Sequence, residues 1–147
     1  DFTYDEAVLT GRGLQGRLAA TGMAAGLAGF MVAGAIPPAR WALERFVLPG
    51  PGEGPSAEAQ KTGFFDLGFI GTTADGRSIR TRVTGDRDPG YGSTAKMLGQ
   101  AGACLAQDLR NSGVKGGFWT PATIFGDRLI ARLTKHSGLT FEVLDAA

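Results

Sequence analysis

Between Gly85 and Lys96 the chain reads Gly85-Asp86-Arg87-Asp88-Pro89-Gly90-Tyr91-Gly92-Ser93-Thr94-Ala95-Lys96, gathering carboxylates, cations, a phenol and hydroxyls just ahead of an apolar-periodic stretch. If a helix begins there, its unbonded N–H groups face this set, and such a place can hold an anion or a substrate carbonyl. On that reading Arg87, Asp88, Tyr91, Thr94 and Lys96 are the candidate substrate contacts. A purely structural reading stands level with it: Pro89-Gly90 is a turn, Thr94 a helix cap and Tyr91 a packing residue. Neither reading assigns a nucleophile or a general base, so the catalytic residues stay unknown.

Gly11-Arg12-Gly13-Leu14-Gln15-Gly16 has the glycine spacing of a dinucleotide fingerprint, and an apolar helix follows it. A pyrophosphate cradle also needs a buried strand in front and an acidic residue ending a second strand. Tyr4-Asp5-Glu6-Ala7 is too polar for such a strand, no acidic residue stands at the required distance, and 24 glycines produce the spacing readily by chance. No cofactor-binding residue is therefore expected in this chain. Cys104 and His136 are the single cysteine and the single histidine. An internal disulfide and a Cys/His zinc set are excluded, no Ser/His/Asp set is recognisable around the lone histidine, and no metal ligand is expected. Cys104 falls on an apolar helix face and reads as core. His136 follows Lys135 in the last turn of a helix, where a cation complements the helix dipole. A net charge of +1 with interspersed signs gives no field that would favour nucleic acid.

The elements that must position these groups divide at a Pro/Gly-rich stretch. Residues 1–50 read as an extended start followed by two helices. Leu18 to Ile36 carries no charge, and Met23, Leu27, Phe30 and Met31 recur at helical spacing among Ala and Gly. A helix apolar all round must be buried in protein, in a dimer interface or in lipid; its length is close to what spans a bilayer. Pro37-Pro38 stops it, and Ala39 to Leu48 reads as a short amphipathic helix with Trp41, Leu43, Phe46 and Val47 opposite Arg40, Glu44 and Arg45. Residues 51–62, opening with Pro51-Gly52-Glu53-Gly54-Pro55, read as a linker.

Residues 63–147 read as strand, strand, helix, short strand, helix, strand. The strands Phe64 to Thr72 and Ser78 to Thr84 are joined through Asp75-Gly76, a hairpin signal. Ser93 or Thr94 is placed to cap a helix running to about Arg110, with Met97, Leu98, Ala101, Cys104 and Leu105 on its core face. Thr120-Pro121 starts the next helix, Phe125, Leu129 and Leu133 line one side of it, and Gly138 ends it. Thr140 to Leu144 closes the chain as a strand. The expected fold is α+β: a mixed, mostly antiparallel β-sheet with helices packed on one face, preceded by an apolar helical segment.

Several of these segments together resemble one family. Pro51-Gly52-Glu53-Gly54-Pro55-Ser56, Asp88 through Leu98, Gly116-Gly117-Phe118-Trp119-Thr120-Pro121-Ala122-Thr123, Gly126-Asp127-Arg128-Leu129-Ile130 and Leu139-Thr140-Phe141-Glu142-Val143 are similar to the C-terminal region of saccharopine dehydrogenase-like oxidoreductases, including their trans-acting enoyl reductase branch. The resemblance covers most of the chain beyond Gly50, and more loosely the part before it. It implies an N-terminal Rossmann domain that binds NAD(P) and is missing here, with this part forming the substrate side of a cleft and a contact in a homo-oligomer. The start at Asp1, without Met or a basic leader, leads to the same expectation of an excised piece.

Two functions follow as expectations. The first is the substrate-side domain of an NAD(P)-dependent oxidoreductase, inactive alone and cytoplasmic. An amino-acid substrate would call on Arg80, Arg82 or Arg87 for its carboxylates, and an acyl substrate on an apolar groove. The alternative is an interaction module that uses Leu18 to Ile36 for dimerisation or membrane attachment, with little or no catalysis.

Overall fold

A computed structural model describes residues 2–110 and 112–146. Internal contacts divide the chain into two units, Asp1–Glu53 and Gly54–Ala147.

In the first unit, the described residues ahead of Gly13 form no regular element, and α1 spans Gly13–Ala35, beginning earlier than the uncharged stretch alone indicates. Ile36 is extended because a residue before proline is pushed out of the helical region. The two prolines that stop α1 also start α2 (Pro37–Phe46), where the missing N–H groups cost nothing. That is why α2 opens at Pro37 and not at Ala39. Gly16 is the buried residue of α1; its bulky side chains are exposed.

The second unit opens with α3 (Ala57–Thr62), inside the stretch read as a linker. Ser56 Oγ accepts from the Ala59 N–H at 3.1 Å, and Glu58 and Lys61 stand at the ends the dipole favours. Strands β1 (Phe65–Thr72) and β2 (Ser78–Gly85) form the expected hairpin. Its turn is a three-residue one: Asp75 keeps a negative φ while Gly76 takes φ +87°, and the Thr73 N–H bonds the Arg77 carbonyl at 2.9 Å. β3 (Leu139–Ala146) pairs antiparallel with β2, giving the order β1-β2-β3 with a bulge opposite Arg80/Thr81. The segment between Gly113 and Thr120 forms no strand among the described residues, so every pairing seen is antiparallel.

Between β2 and β3 lie α4 (Gly92–Ala103), which runs on into a π-turn over Cys104–Asp108, then α5 (Pro121–Phe125) and α6 (Asp127–His136). Thr120 caps α5 as expected, its Oγ1 accepting from the Thr123 N–H at 3.3 Å. The helix expected to run on from there is broken at Gly126, whose φ +50°, ψ −135° is open to glycine and strained for other residues. α6 packs on β3 and on α4. Among the described residues the core is small: Cys104, Phe125, Leu133 and Leu139 are the buried apolar side chains, and Ser93 and Ser137 are also buried. On α4 the inward residues are Ser93, Met97, Ala101 and Cys104. Leu98 and Leu105, expected on the same face, are exposed, because they sit about 100° around the helix from Met97 and Cys104.

Candidate functional site

The register assigns the two faces of the sheet. Phe65, Leu67 and Phe69 of β1 share a face with Val83, Thr81 and Ile79 of β2 and with Leu139, Phe141 and Val143 of β3. The other face carries Asp66, Thr84, Arg82, Arg80, Thr140, Glu142 and Asp145, with Ile70 as an exposed apolar residue beside Arg80. There Arg82 donates to both carboxylate oxygens of Asp66 at 2.8 and 2.6 Å, and Arg80 lies 3.6 Å from Asp145. The Arg82 guanidinium holds the Asp66 carboxyl below the ordinary carboxylate range. On the apolar face Leu139 is buried, but the far half is open: Leu67 is 50%, Phe69 46%, Ile79 45% and Val143 68% exposed. Apolar surface of this kind, with Thr81 set between Phe69 and Val143, marks a place that meets something other than water.

The loop from Asp86 to Lys96 is held by its own side chains. Asp88 accepts from the backbone N–H groups of Gly90, Tyr91 and Gly92 at 3.0, 2.8 and 2.8 Å. The bonds from Gly92 and then Tyr91 push its pKa down. Asp88 therefore does the capping expected of Ser93 or Thr94, which lie within the first turn of α4. Ser93 Oγ donates to the Arg87 carbonyl at 3.1 Å and Thr94 Oγ1 to that of Pro89 at 2.6 Å. The Asp88 N–H bonds the Gln60 carbonyl of α3 at 3.1 Å. This approach needs Gly63, since a β-carbon there would stand 2.7 Å from the Asp88 backbone. Lys96 Nζ donates to Asp86 Oδ1 at 2.8 Å and to the Ser137 carbonyl at 3.1 Å, tying α4 to the turn between α6 and β3.

The five candidate residues thus lie around the start of α4, with their polar groups differently occupied. Asp88, Thr94 and Lys96 are engaged in holding the loop. The Arg87 stem packs on Gly92 and the Tyr91 ring on Gly54, and among the described residues neither the guanidinium nor the phenol hydroxyl has a hydrogen-bond partner. Tyr91 is 56% exposed. The loop can therefore offer one cation and one phenol to a bound group.

A second cluster escaped the sequence reading. Gln107, Asp108, Arg128, Ala131, Arg132, Lys135 and His136 line an open groove between the π-turn and α6. Arg132 donates to Asp108 and, through Nη2 at 2.7 Å, to Gln107. Its guanidinium holds the Asp108 carboxyl down at about 2. Cys104 is fully buried, and desolvation raises its thiol pKa, as befits a core residue. Arg128, Arg132, Lys135 and His136 repeat at helical spacing, which is a legible signal for the basic stripe. Nothing in the sequence announced the π-turn that brings Asp108 to it. Within residues 11–16, the Gly11 and Gly13 φ angles of +92° and +73° make a turn into α1, with coil in place of a preceding strand.

No family model and no solved structure matches the chain. Curated proteins do. A provisionally named trans-acting enoyl reductase of Mycobacterium tuberculosis (strain ATCC 25618 / H37Rv) is 40% identical over 91 residues, 62% of this chain and 22% of that protein. A trans-acting enoyl reductase of Mycobacterium ulcerans (strain Agy99) is 35% identical over 136 residues, 90% of this chain and 32% of its own length. One from Mycobacterium bovis (strain BCG / Pasteur 1173P2) is 34% identical over 137 residues, with the same shares covered. The chain is thus similar, over most of its length, to a stretch that makes up between 22% and 32% of these trans-acting enoyl reductases.

Proposed function

We propose that the chain is the acyl-facing part of an enoyl reductase and is inactive by itself, its NAD(P) cradle being a Rossmann domain elsewhere in a longer protein. The observation that carries this choice of substrate is the split character of the sheet. Arg80 and Arg82, which an amino-acid substrate such as saccharopine would call on, face Asp145 and Asp66. The opposite face offers Leu67, Phe69, Ile79 and Val143 with no polar partner to satisfy, which suits a hydrocarbon chain. The likeness to trans-acting enoyl reductases supports the same choice.

Reduced nicotinamide, when bound, supplies the hydride that saturates the enoyl double bond. The part of this chain is to bind and orient. The sheet face takes up the acyl chain and excludes water from it, and the Tyr91 hydroxyl and Arg87 guanidinium hold the acyl carbonyl at the mouth of α4.

The test is NADPH consumption by the full-length protein, offered a trans-2-enoyl thioester or saccharopine. Consumption with the thioester alone is the expected result. Turnover of saccharopine without turnover of the thioester would overturn the acyl reading.

A further inference from the structure

We propose that α1 is a membrane anchor, with Leu18–Ala35 embedded in the hydrocarbon core of a lipid bilayer and α2 lying at the level of the headgroups. This is independent of the acyl-facing role of the sheet, which rests on residues of the other unit.

The first argument is the distribution of apolar side chains around α1. Leu18, Met23, Leu27, Phe30, Met31 and Val32 are all exposed. At 100° per residue, Leu18 and Val32 point to one side of the axis and Met23, Leu27, Phe30 and Met31 to the other, with Ala and Gly between them. A single protein partner covers one face of a helix. A helix apolar on every side needs an environment that surrounds it, a protein interior or lipid, and among the described residues nothing buries this stretch of α1. Helices that lie flat on a membrane have a charged face, which α1 lacks from Leu18 onward, so embedding is the mode that fits it.

The second argument is length. The 18 helical residues from Leu18 to Ala35 extend about 27 Å at 1.5 Å each, close to the ~30 Å hydrocarbon thickness of a bilayer.

The third is what stands at the two ends. Arg12 and Arg17 precede the uncharged stretch, and Arg40, Trp41 and Arg45 follow it. Arginine beside anionic headgroups and tryptophan at the interface are the side chains a bilayer favours at those depths. On α2, Trp41 and Phe46 meet edge to face with ring centres 5.9 Å apart, and both are exposed. Arg45 lies over the Phe46 ring at 5.9 Å. The Ala/Gly content of α1 makes its own insertion energy weak, so the apolar side of α2 and the flanking arginines are needed to complete the attachment.

The experiment uses the whole chain, carried in mild detergent and freed of it in the presence of phosphatidylcholine/phosphatidylglycerol vesicles, followed by flotation. Trp119→Phe leaves Trp41 as the sole tryptophan reporter. The chain is expected to float with the vesicles even at about half-molar salt, where exposed charges are screened. Trp41 emission should shift to the blue and be quenched by brominated acyl chains. Leu27→Asp should reduce flotation by about tenfold or more, since a carboxylate in hydrocarbon is costly. Leu27→Phe, which keeps the helix apolar, should float like the parent. Sedimentation of the parent as aggregate, a soluble oligomer that ignores vesicles, flotation abolished by salt, or an unquenched Trp41 would each overturn the proposal.

Discussion

Asp108 shows how much a single side chain here depends on its neighbour. Its carboxyl is held at about 2, first by the Arg132 hydrogen bond and then by the Cys104 thiol. A carboxyl whose folded pKa lies below its unfolded value stabilises the fold fully above the unfolded pKa, and that stability is lost as pH falls through the folded one. The contribution of Asp108 is therefore complete above about pH 4 and disappears toward pH 2. Asp108→Asn should be less stable than the parent at pH 7, and its stability should fall less steeply between pH 4 and pH 2, as followed by circular dichroism against denaturant. Tyr91 behaves otherwise, because among the described residues its hydroxyl has no hydrogen-bond partner. Tyr91→Phe in the full-length protein should fold normally and leave NADPH affinity unchanged while lowering turnover on the enoyl thioester; unchanged turnover would remove Tyr91 from the site. The sequence displayed these groups together, but it could not say which were spoken for. Asp88 reaches three N–H groups only because Pro89-Gly90 folds the chain back on it, and Lys96 is occupied because Asp86 and the Ser137 carbonyl, the latter remote in sequence, both arrive beside it.

At the scale of elements, local chemistry was legible wherever one residue decides it. The α1 stop at Pro37-Pro38, the Thr120 cap, the Asp75-Gly76 hairpin and the Gly138 turn at φ +70° all follow from single-residue preferences. What depended on tertiary contact was not legible. The π-turn after Ala103 answers to packing that no local pattern records, whereas the Ser56 cap and Gly126 were local signals left unread for the short helix and the break. Thr120→Ala should cost about 1 kcal/mol, as loss of an N-cap does. Gly63→Ala should cost more, on the order of 2 kcal/mol, because the added methyl meets the backbone of Asp88 and not a side chain that can swing away. Thermal denaturation of the two variants beside the parent checks the ranking. A milder effect at Gly63 than at Thr120 would mean that α3 does not hold the loop.

For the whole molecule, the α+β fold was readable from the order of strand-type and helical runs and the turn signals between them. The extent of exposed apolar surface was not readable, since it depends on what α4 and α6 leave uncovered. Two such surfaces emerge, the open half of the sheet and all sides of α1, and the account gives each a hydrocarbon partner: an acyl chain for the first and a bilayer for the second. The central claim is that the sheet face meets the acyl chain. The measurement that tests it most directly is kcat/KM of the full-length protein on short-chain and long-chain trans-2-enoyl thioesters, with and without Val143→Asp. The account expects Val143→Asp to lower kcat/KM for the long chain by about tenfold or more, with little change for the short chain and none in the KM for NADPH. An equal loss on both thioesters, or no loss on either, would contradict it.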